Sequence, residues 1–334
     1  MRAQASPAPP TLPAITPDRL VASVVQALTQ RRPISGKVDV FIDLGLPSLP
    51  DSGLGSDVSS AAGVVAQISG THHLRIWRSV DGLRVADILP RSERALFVSR
   101  TEAWAWDFTA FTAYRLPAPP PRPPVEGPNG ASAMLDPLGL ARRAIAAITP
   151  TTAVSVSGTT RVAGRAAYVL DLVPRSQTTL VGRVEIDVDA EHRLPLRVAV
   201  FARGRTSAPL RAAFSTVSFA HIDASVYRFS PPPGAKVVDA LHASNGSGPA
   251  AAIIGEYGSP SDAQAFGSGW DSIAALRLPK APNRGASGGL DLARFLPLSG
   301  PLLSIRLVER ADHAWVVYGF VSQEALAAVE PKLP

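Results

Sequence analysis

Between Thr152 and Pro233, apolar and polar residues alternate along most of the chain. Tyr168, Leu170 and Leu172 fall on one side of such a ribbon, and Val169, Asp171 and Val173 on the other. Val184, Ile186 and Val188 oppose Glu185, Asp187 and Asp189 in the same way. Period-two alternation rich in β-branched and aromatic residues predicts half-buried strands. The stretch Asp189–Pro195 predicts a hairpin loop longer than two residues, returning the chain into Leu196–Phe201. The product is an antiparallel meander with one face on a core and a wetter opposite face, where Glu185, Asp187 and Asp189 are placed.

The pattern changes period elsewhere. Thr16-Pro17-Asp18 combines an N-cap, a proline for the first helical position and an acid for the first turn. Leu20, Val21, Val24, Val25 and Leu28 then form an apolar helical stripe, closed by Arg31, Arg32 and Pro33. Asp136-Pro137 opens a second helix by the same chemistry, with Leu138, Ala141, Ile145 and Ile148 on one face. Between the helices, strands are predicted over Ile34–Leu46, His72–Val80, Leu83–Leu89, Arg94–Ser99, Glu102–Phe108 and Phe111–Leu116. Asp81-Gly82 reads as a type I′ hairpin turn. Residues 47–70 read as a long loop and 117–132 as a proline-rich linker.

After Pro233 the texture is different. Residues 239–268 are rich in Ala, Gly and Ser. Gly269–Leu278 reads as a strand, Leu290–Leu296 as a short helix, and Leu302–Val308 with Ala314–Val321 as a hairpin. Gln323–Glu330 reads as a terminal helix. The division expected is a disordered Pro/Ala-rich leader over 1–15, a main domain over 16–235, and a small α+β extension over 236–334.

Composition bounds the function more than it names it. Hydrophobic residues make up 46% of the chain and charged residues 18%, which suits a packed core. The net charge of +6 comes from scattered arginines without a basic run, so no nucleic-acid partner is expected. The chain has no cysteine, which removes disulfides, thiolate catalysis and Cys-based metal sites. It carries no apolar run long enough to span a membrane as a helix. Ala3-Gln4-Ala5 resembles the small-residue end of a signal peptide, so export is expected.

Motifs for catalysis are missing. G-x-x-x-x-G-K-[ST], H-E-x-x-H and G-x-G-x-x-G after a strand do not occur. His72 and His73 are adjacent on a strand and so face opposite ways, which argues against a shared metal. Asp39 and Asp43 read as solvent-facing carboxylates, and Asn245-Gly-Ser is only a short sequon match. Neither catalytic residue, metal nor cofactor is expected. The aromatic positions say more: Trp104, Trp106 and Phe108 share one face of a strand, and Trp77 lies on a neighbouring one. They build either an ordinary sheet-on-helix core or an apolar groove. A groove that takes a sixteen-carbon chain gains about 10 kcal/mol or more, at about 0.8 kcal/mol per buried CH₂.

A family resemblance follows from specific stretches. Val162-Ala-Gly-Arg-Ala-Ala-Tyr168, the strand to Pro174-Arg175, Val188-Asp189 with Pro195-Leu-Arg-Val198, and Phe229-Ser-Pro-Pro-Pro-Gly234 resemble the LolA-like proteins of actinobacteria. These are relatives of the outer-membrane lipoprotein carrier LolA and of the N-terminal domain of MucB/RseB regulators. Leu74-Arg-Ile-Trp77, the strands around Asp81-Gly82, and Trp104-Ala-Trp106 extend the likeness, which covers roughly residues 16–235. It implies an α+β fold: a strongly curved, open antiparallel half-barrel, with helices 17–30 and 137–148 over a concave face they only partly fill. It implies a monomeric, non-enzymatic, extracytoplasmic binder or carrier of lipid or lipoprotein acyl chains. Trp77, Trp104, Trp106, Tyr168, Leu170 and Ile186 are the expected lipid-binding residues. The rival reading is an RseB-like sensor that binds an anti-sigma factor or another membrane-protein segment, which a two-domain split near residue 235 would favour. A third is an enzyme with a dispersed polar site.

Overall fold

Both helix signals are realised by the side chains that announced them. In a computed structural model of the protein, which describes residues 8–45, 69–89, 92–116, 136–239, 263–279 and 297–334, helix α1 spans Pro17–Thr29 and helix α2 Pro137–Ala146. The Thr16 hydroxyl accepts from the Arg19 N–H at 3.4 Å, and an Asp136 oxygen accepts from the Leu138 N–H at 3.0 Å. Each supplies one of the acceptors that a helix start lacks. Helix α1 buries Leu20, Val24, Ala27 and Leu28, while Val25 stays 44% exposed.

Each helix is followed by a meander. The first contains β1 (Ile34–Ile42), β2 (Gly70–Arg78), β3 (Leu83–Leu89), β4 (Ser92–Val98), β5 (Ala103–Asp107) and β6 (Thr112–Leu116). The second contains β7 (Thr152–Val162), β8 (Arg165–Pro174), β9 (Val181–Asp189), β10 (Pro195–Ala202) and β11 (Leu210–Ser218). They are stitched together where β1 pairs antiparallel with β11. A short strand β12 (Lys236–Asp239) adds parallel to β6. The result is one twelve-stranded sheet in the order β12-β6-β5-β4-β3-β2-β1-β11-β10-β9-β8-β7. Its end strands do not pair with each other, so the sheet is open.

The sheet is not flat. Strands β7 and β11 come within 8 Å, Cα to Cα, although three strands separate them in the ladder. Four flat inter-strand steps would place them about 19 Å apart. Alternation and register give the sheet two faces. One, the helix side, carries Val38, Leu74, Ile76, Leu170, Ile186, Val198 and Ala212, in a single core with the buried stripes of α1 and α2. The other, the far face, carries the intervening residues.

A second, five-stranded sheet stands apart. Strands β13 (Ala263–Phe266), β14 (Ile273–Pro279), β15 (Leu298–Ser299), β16 (Ser304–Glu309) and β17 (His313–Gly319) run in the order β13-β14-β17-β16-β15. Helix α3 (Gln323–Ala327) packs on β16 and β17. Trp315, Val317 and Leu326 centre a core of its own. This module grips the β8–β9 connection: the Leu180 N–H donates to the Phe320 carbonyl at 2.8 Å, and the Ser322 N–H to the Thr178 carbonyl at 2.8 Å. Ser176 donates to Asp271 at 2.7 Å and Trp270 Nε1 to the Thr152 hydroxyl at 2.9 Å. Leu302 and Leu303 enter the core of the large sheet.

Several expectations need correction. β12 extends the large sheet, so that sheet reaches beyond residue 235. Residues 8–15, expected to be disordered, run along the β7–β8 edge. Thr159 donates to the Pro10 carbonyl at 2.6 Å, and Leu12 and Ile15 pack on the core. Gly269–Asp271 is a 3-10 turn rather than the start of a strand. The loop expected over 47–70 lies almost wholly outside the described residues, as do the linker over 117–132, the helix over Leu290–Leu296 and Asn245.

Asp81-Gly82 is not a two-residue turn: Arg78 pairs with Leu83, so the loop is Ser79–Gly82, and Gly82 has no positive φ. A β-carbon there would sit 2.3 Å from the Val98 carbonyl oxygen and 2.7 Å from the Tyr227 ring, so close approach excludes a side chain. The two-residue turn is Ala163-Gly164, with φ of 50° and 77° between the paired Val162 and Arg165. Gly82→Ala is therefore expected to cost about 2 kcal/mol by overpacking. Gly164→Ala, with open space around it, should cost only the left-handed penalty of about 1 kcal/mol. Urea unfolding of both variants checks the order; equal losses would contradict it.

Candidate functional site: the helix-covered face of the sheet

The six expected lipid-binding residues divide between the two faces. Tyr168, Leu170 and Ile186 lie on the helix side, 4%, 0% and 0% exposed, in the core shared with α1 and α2. Leu170 stands directly opposite Ile186 across the β8–β9 ladder. Helix α2 lies on β10 and β11, and α1 packs on α2 and β7. The expectation that the helices only partly fill this space is corrected. Leu20, Val24, Leu138 and Ala141 occupy it and are themselves at most 3% exposed.

The filled core opens at one rim. A cleft of about 400 Å³ is lined by Leu12, Ile15, Arg19, Ser23, Tyr168 and Arg193. Tyr168 belongs both to the core and to this cleft. Its hydroxyl donates to the Pro13 carbonyl at 2.9 Å and latches the N-terminal segment over the sheet. The Arg193 guanidinium lies 5.0 Å above the Tyr168 ring. A tyrosine with an apolar ring and one polar tip suits a boundary between oil and water.

Trp77, Trp104 and Trp106 lie on the far face instead. The register Trp77–Arg84–Phe97–Trp104–Arg115 makes one row across β2 to β6. Arg84 sits 4.8 Å over the Trp77 ring and 4.7 Å over Phe97, a cation–π sandwich. Phe229 closes the group, stacked on Phe97 at 4.8 Å and tilted against Trp104 and Trp106 at 5.9 and 5.6 Å. The aromatic set is thus neither a sheet-on-helix core nor a groove. It fastens the segment after β11 as that segment crosses from the middle of the sheet to β12 at its edge. Phe108, expected beside the tryptophans, lies beyond β5 and is 53% exposed.

The carboxylates of β9 also depart from expectation. Asp187 and Asp189 are fully buried rather than wet. Arg197, opposite Asp187 on β10, donates to Asp187 at 2.5 Å and also to Glu185. Arg183 bridges Asp171 at 3.2 Å and Glu185 at 2.9 Å. Arg165 donates to Asp189 at 2.5 Å and to Glu191 at 2.8 Å. Cross-strand spacing carries this signal: once the hairpin is in register, each acid on β9 meets an arginine on a neighbour. Burial holds the Asp187 carboxyl above its ordinary range, and Arg197 draws it part of the way back. Burial also acts to raise Asp189, but hydrogen bonds from Arg165 and the His192 N–H outweigh it and leave that carboxyl below its usual range.

The remaining polar residues stay apart. His72 approaches Asp87 at 3.2 Å on the helix side, whereas His73 approaches Asp39 at 2.7 Å on the far face. Asp43 accepts from the Gly45 N–H at 3.0 Å. Among the described residues, no cluster of three or more His, Asp or Glu has the arrangement of a metal site. No helix among them is long and apolar enough to cross a membrane.

Neither a family model nor a curated protein matches the chain. Its structural neighbours are MucB and LolA-superfamily proteins. MucB of Pseudomonas aeruginosa, in its complex with MucA, is 15% identical over 94% of this chain and 96% of that one, with a TM-score of 0.48. A LolA-superfamily protein from Nitrosomonas europaea is 8% identical, covering 65% of this chain and 99% of that one, with a TM-score of 0.25. The Mycobacterium tuberculosis lipoprotein LppX is 9% identical, covering 61% and 97%, with a TM-score of 0.30.

The Asp189 cluster has a pH signature. A carboxyl held below its unfolded value near 4 stabilises the fold above about pH 4, and the gain disappears as pH falls through the folded value. Arg165→Gln should therefore cost about 1–3 kcal/mol near neutral pH. Its deficit should close on acidification below about pH 4, where Asp189 of the parent protein protonates as well. Urea unfolding across pH tests this; a deficit independent of pH would mean Arg165 acts through packing alone.

Proposed function

We propose that the protein is a non-enzymatic, extracytoplasmic binder of acyl chains, from a lipid or a lipoprotein, taken up on the sheet face beneath α1 and α2. In this reading that face is the concave one, and Tyr168, Leu170 and Ile186 contact the chain. Trp77, Trp104 and Trp106 act at a distance, by holding the crossing segment that keeps the sheet curled. The observation that carries the reading is the cover: an oily sheet face roofed by two short helices, with a surface cleft between Tyr168 and the start of α1.

Because the helices fill the space, uptake requires α1 to move. Its stripe of Leu20, Val24 and Leu28, beside the small Ala27, is worth about 5–9 kcal/mol, at about 1.5–3 kcal/mol per large apolar side chain. A sixteen-carbon chain offers about 12 kcal/mol, at about 0.8 kcal/mol per CH₂. The exchange is therefore close to balanced and favours a long chain over a short one. A displaced α1 also remains tethered, which keeps it ready to return.

One observation favours a regulatory reading as well. The module over 263–279 and 297–334 has its own sheet and core, as a two-body sensor for a membrane-protein segment would need. MucB, crystallised with MucA, sets the precedent for such a partner. The two readings separate by experiment: a sensor retains a polypeptide segment without bound lipid.

The chain has no cysteine, so Ala27→Cys places a single thiol on the buried side of α1, at a residue 5% exposed. Its maleimide labelling should accelerate about tenfold with palmitate, a shift of about 1.4 kcal/mol in helix opening. Acceleration by a short fatty acid should be much weaker. A rate unmoved by any chain length would remove the acyl reading.

A further inference from the structure

Away from the helices, the far face of β1, β2 and β11 carries a feature the ligand reading does not use. Lys37 on β1 stands directly opposite Arg75 on β2, both exposed. Like charges directly opposed across a ladder are unfavourable. Neither side chain makes an ion pair among the described residues, and Arg211 on β11, also exposed, makes none there either. Arg211 faces Phe41 across the β1–β11 ladder, and Phe41 is 36% exposed. The acid set among them, Asp39, is already engaged by His73 at 2.7 Å. Elsewhere on the same face, in the β8–β10 ladder, acids meet arginines strand by strand. Unopposed cations here are therefore a local departure from the protein's own rule.

Beside them lies a cleft of about 370 Å³, lined by Phe41, Phe201, Thr206, Ser207, Arg197 and Arg211. Arg211 supplies a charge without a partner and a planar set of donors. Thr206 and Ser207, both exposed, supply hydroxyls, and Phe41 and Phe201 form aromatic walls. A single exposed phenylalanine is ordinary on a protein surface. Set between unpaired cations and hydroxyl donors, it matches an anionic headgroup with apolar material beneath it.

We propose that this face docks on a bilayer containing anionic phospholipid, with Arg211, Thr206 and Ser207 receiving a headgroup phosphate, Phe41 entering the interface, and Lys37 and Arg75 adding charge. The helix-covered face then points away from the membrane it sits on. The inference is independent of acyl-chain uptake, because it uses the opposite face of the sheet.

Co-sedimentation with phosphatidylglycerol/phosphatidylcholine vesicles tests it. The full chain should bind these vesicles, bind pure phosphatidylcholine far less, and lose binding as salt rises. A fivefold loss per neutralised cation is the usual order, so Lys37→Gln, Arg75→Gln and Arg211→Gln together should weaken binding about a hundredfold. The same charge removed elsewhere, by Arg161→Gln, Arg175→Gln and Lys332→Gln, should leave binding close to the parent. Phe41→Ser should weaken binding while leaving its salt dependence in place. Circular dichroism of each variant separates loss of binding from loss of fold. Equal effects of the two triple variants would reduce the interaction to net charge and overturn the site. So would equal binding to neutral vesicles, or binding of an acidic polypeptide with no vesicle binding.

Discussion

The constraint on which the structure depends is the covering of one oily sheet face. The helix side of β1, β2 and β7 to β11 presents one continuous apolar core surface, which water must not reach. A second sheet could cover it, as in a sandwich, yet here α1 and α2 do so, with β7 rolled back towards β11. Two short helices suffice because the curl reduces the opening they must fill. Small residues on their inner faces, Ala27, Ala141 and Ala144, let them sit close to the strands.

The far face solves the opposite problem. It cannot be oily without inviting aggregation, and it cannot be fully wet where the chain must cross it. Over β2 to β6 the solution is an aromatic and arginine row beneath Phe229, fastening the segment that ends in β12. Over β8 to β10 it is an arginine–carboxylate lattice in which Asp187 and Asp189 are buried but paired. Buried ion pairs of this kind add little net stability over apolar packing, yet breaking one leaves a costly lone charge. A slip by one residue would separate the cross-strand pairs of Arg197 with Asp187 and of Arg165 with Asp189. The second module adds a further constraint by holding the β8–β9 connection through backbone hydrogen bonds.

Much of this was legible in the sequence because it is local. Thr16-Pro17-Asp18 and Asp136-Pro137 write the helix starts within three residues, and the alternation around Tyr168 and Ile186 writes the strands. The face that Tyr168, Leu170 and Ile186 share was therefore readable. Which other residues joined them was not. A period of two assigns sides within a strand but not between distant strands, so it does not tell that Trp104 and Trp106 of β5 lie on the face opposite Tyr168, Leu170 and Ile186. Their partner Phe229 is far away in sequence and arrives by a crossing that no local pattern records. Asp187 and Asp189 read as wet because isolated carboxylates usually are. Their arginines become visible only when the ladders are aligned. Gly82 misled for a related reason: its small size serves Val98 and Tyr227, both remote, rather than its own turn.

If the oily face beneath α1 and α2 takes up an acyl chain, as proposed, that chain should stay bound through purification when lipid is present. Native mass spectrometry of the protein isolated from a membrane-containing lysate tests this most directly. The expected result is a population heavier than the polypeptide by one lipid mass, lost when the lipid is stripped and restored by a long-chain fatty acid. Polypeptide mass alone under every condition, with no uptake of added fatty acid, would contradict it.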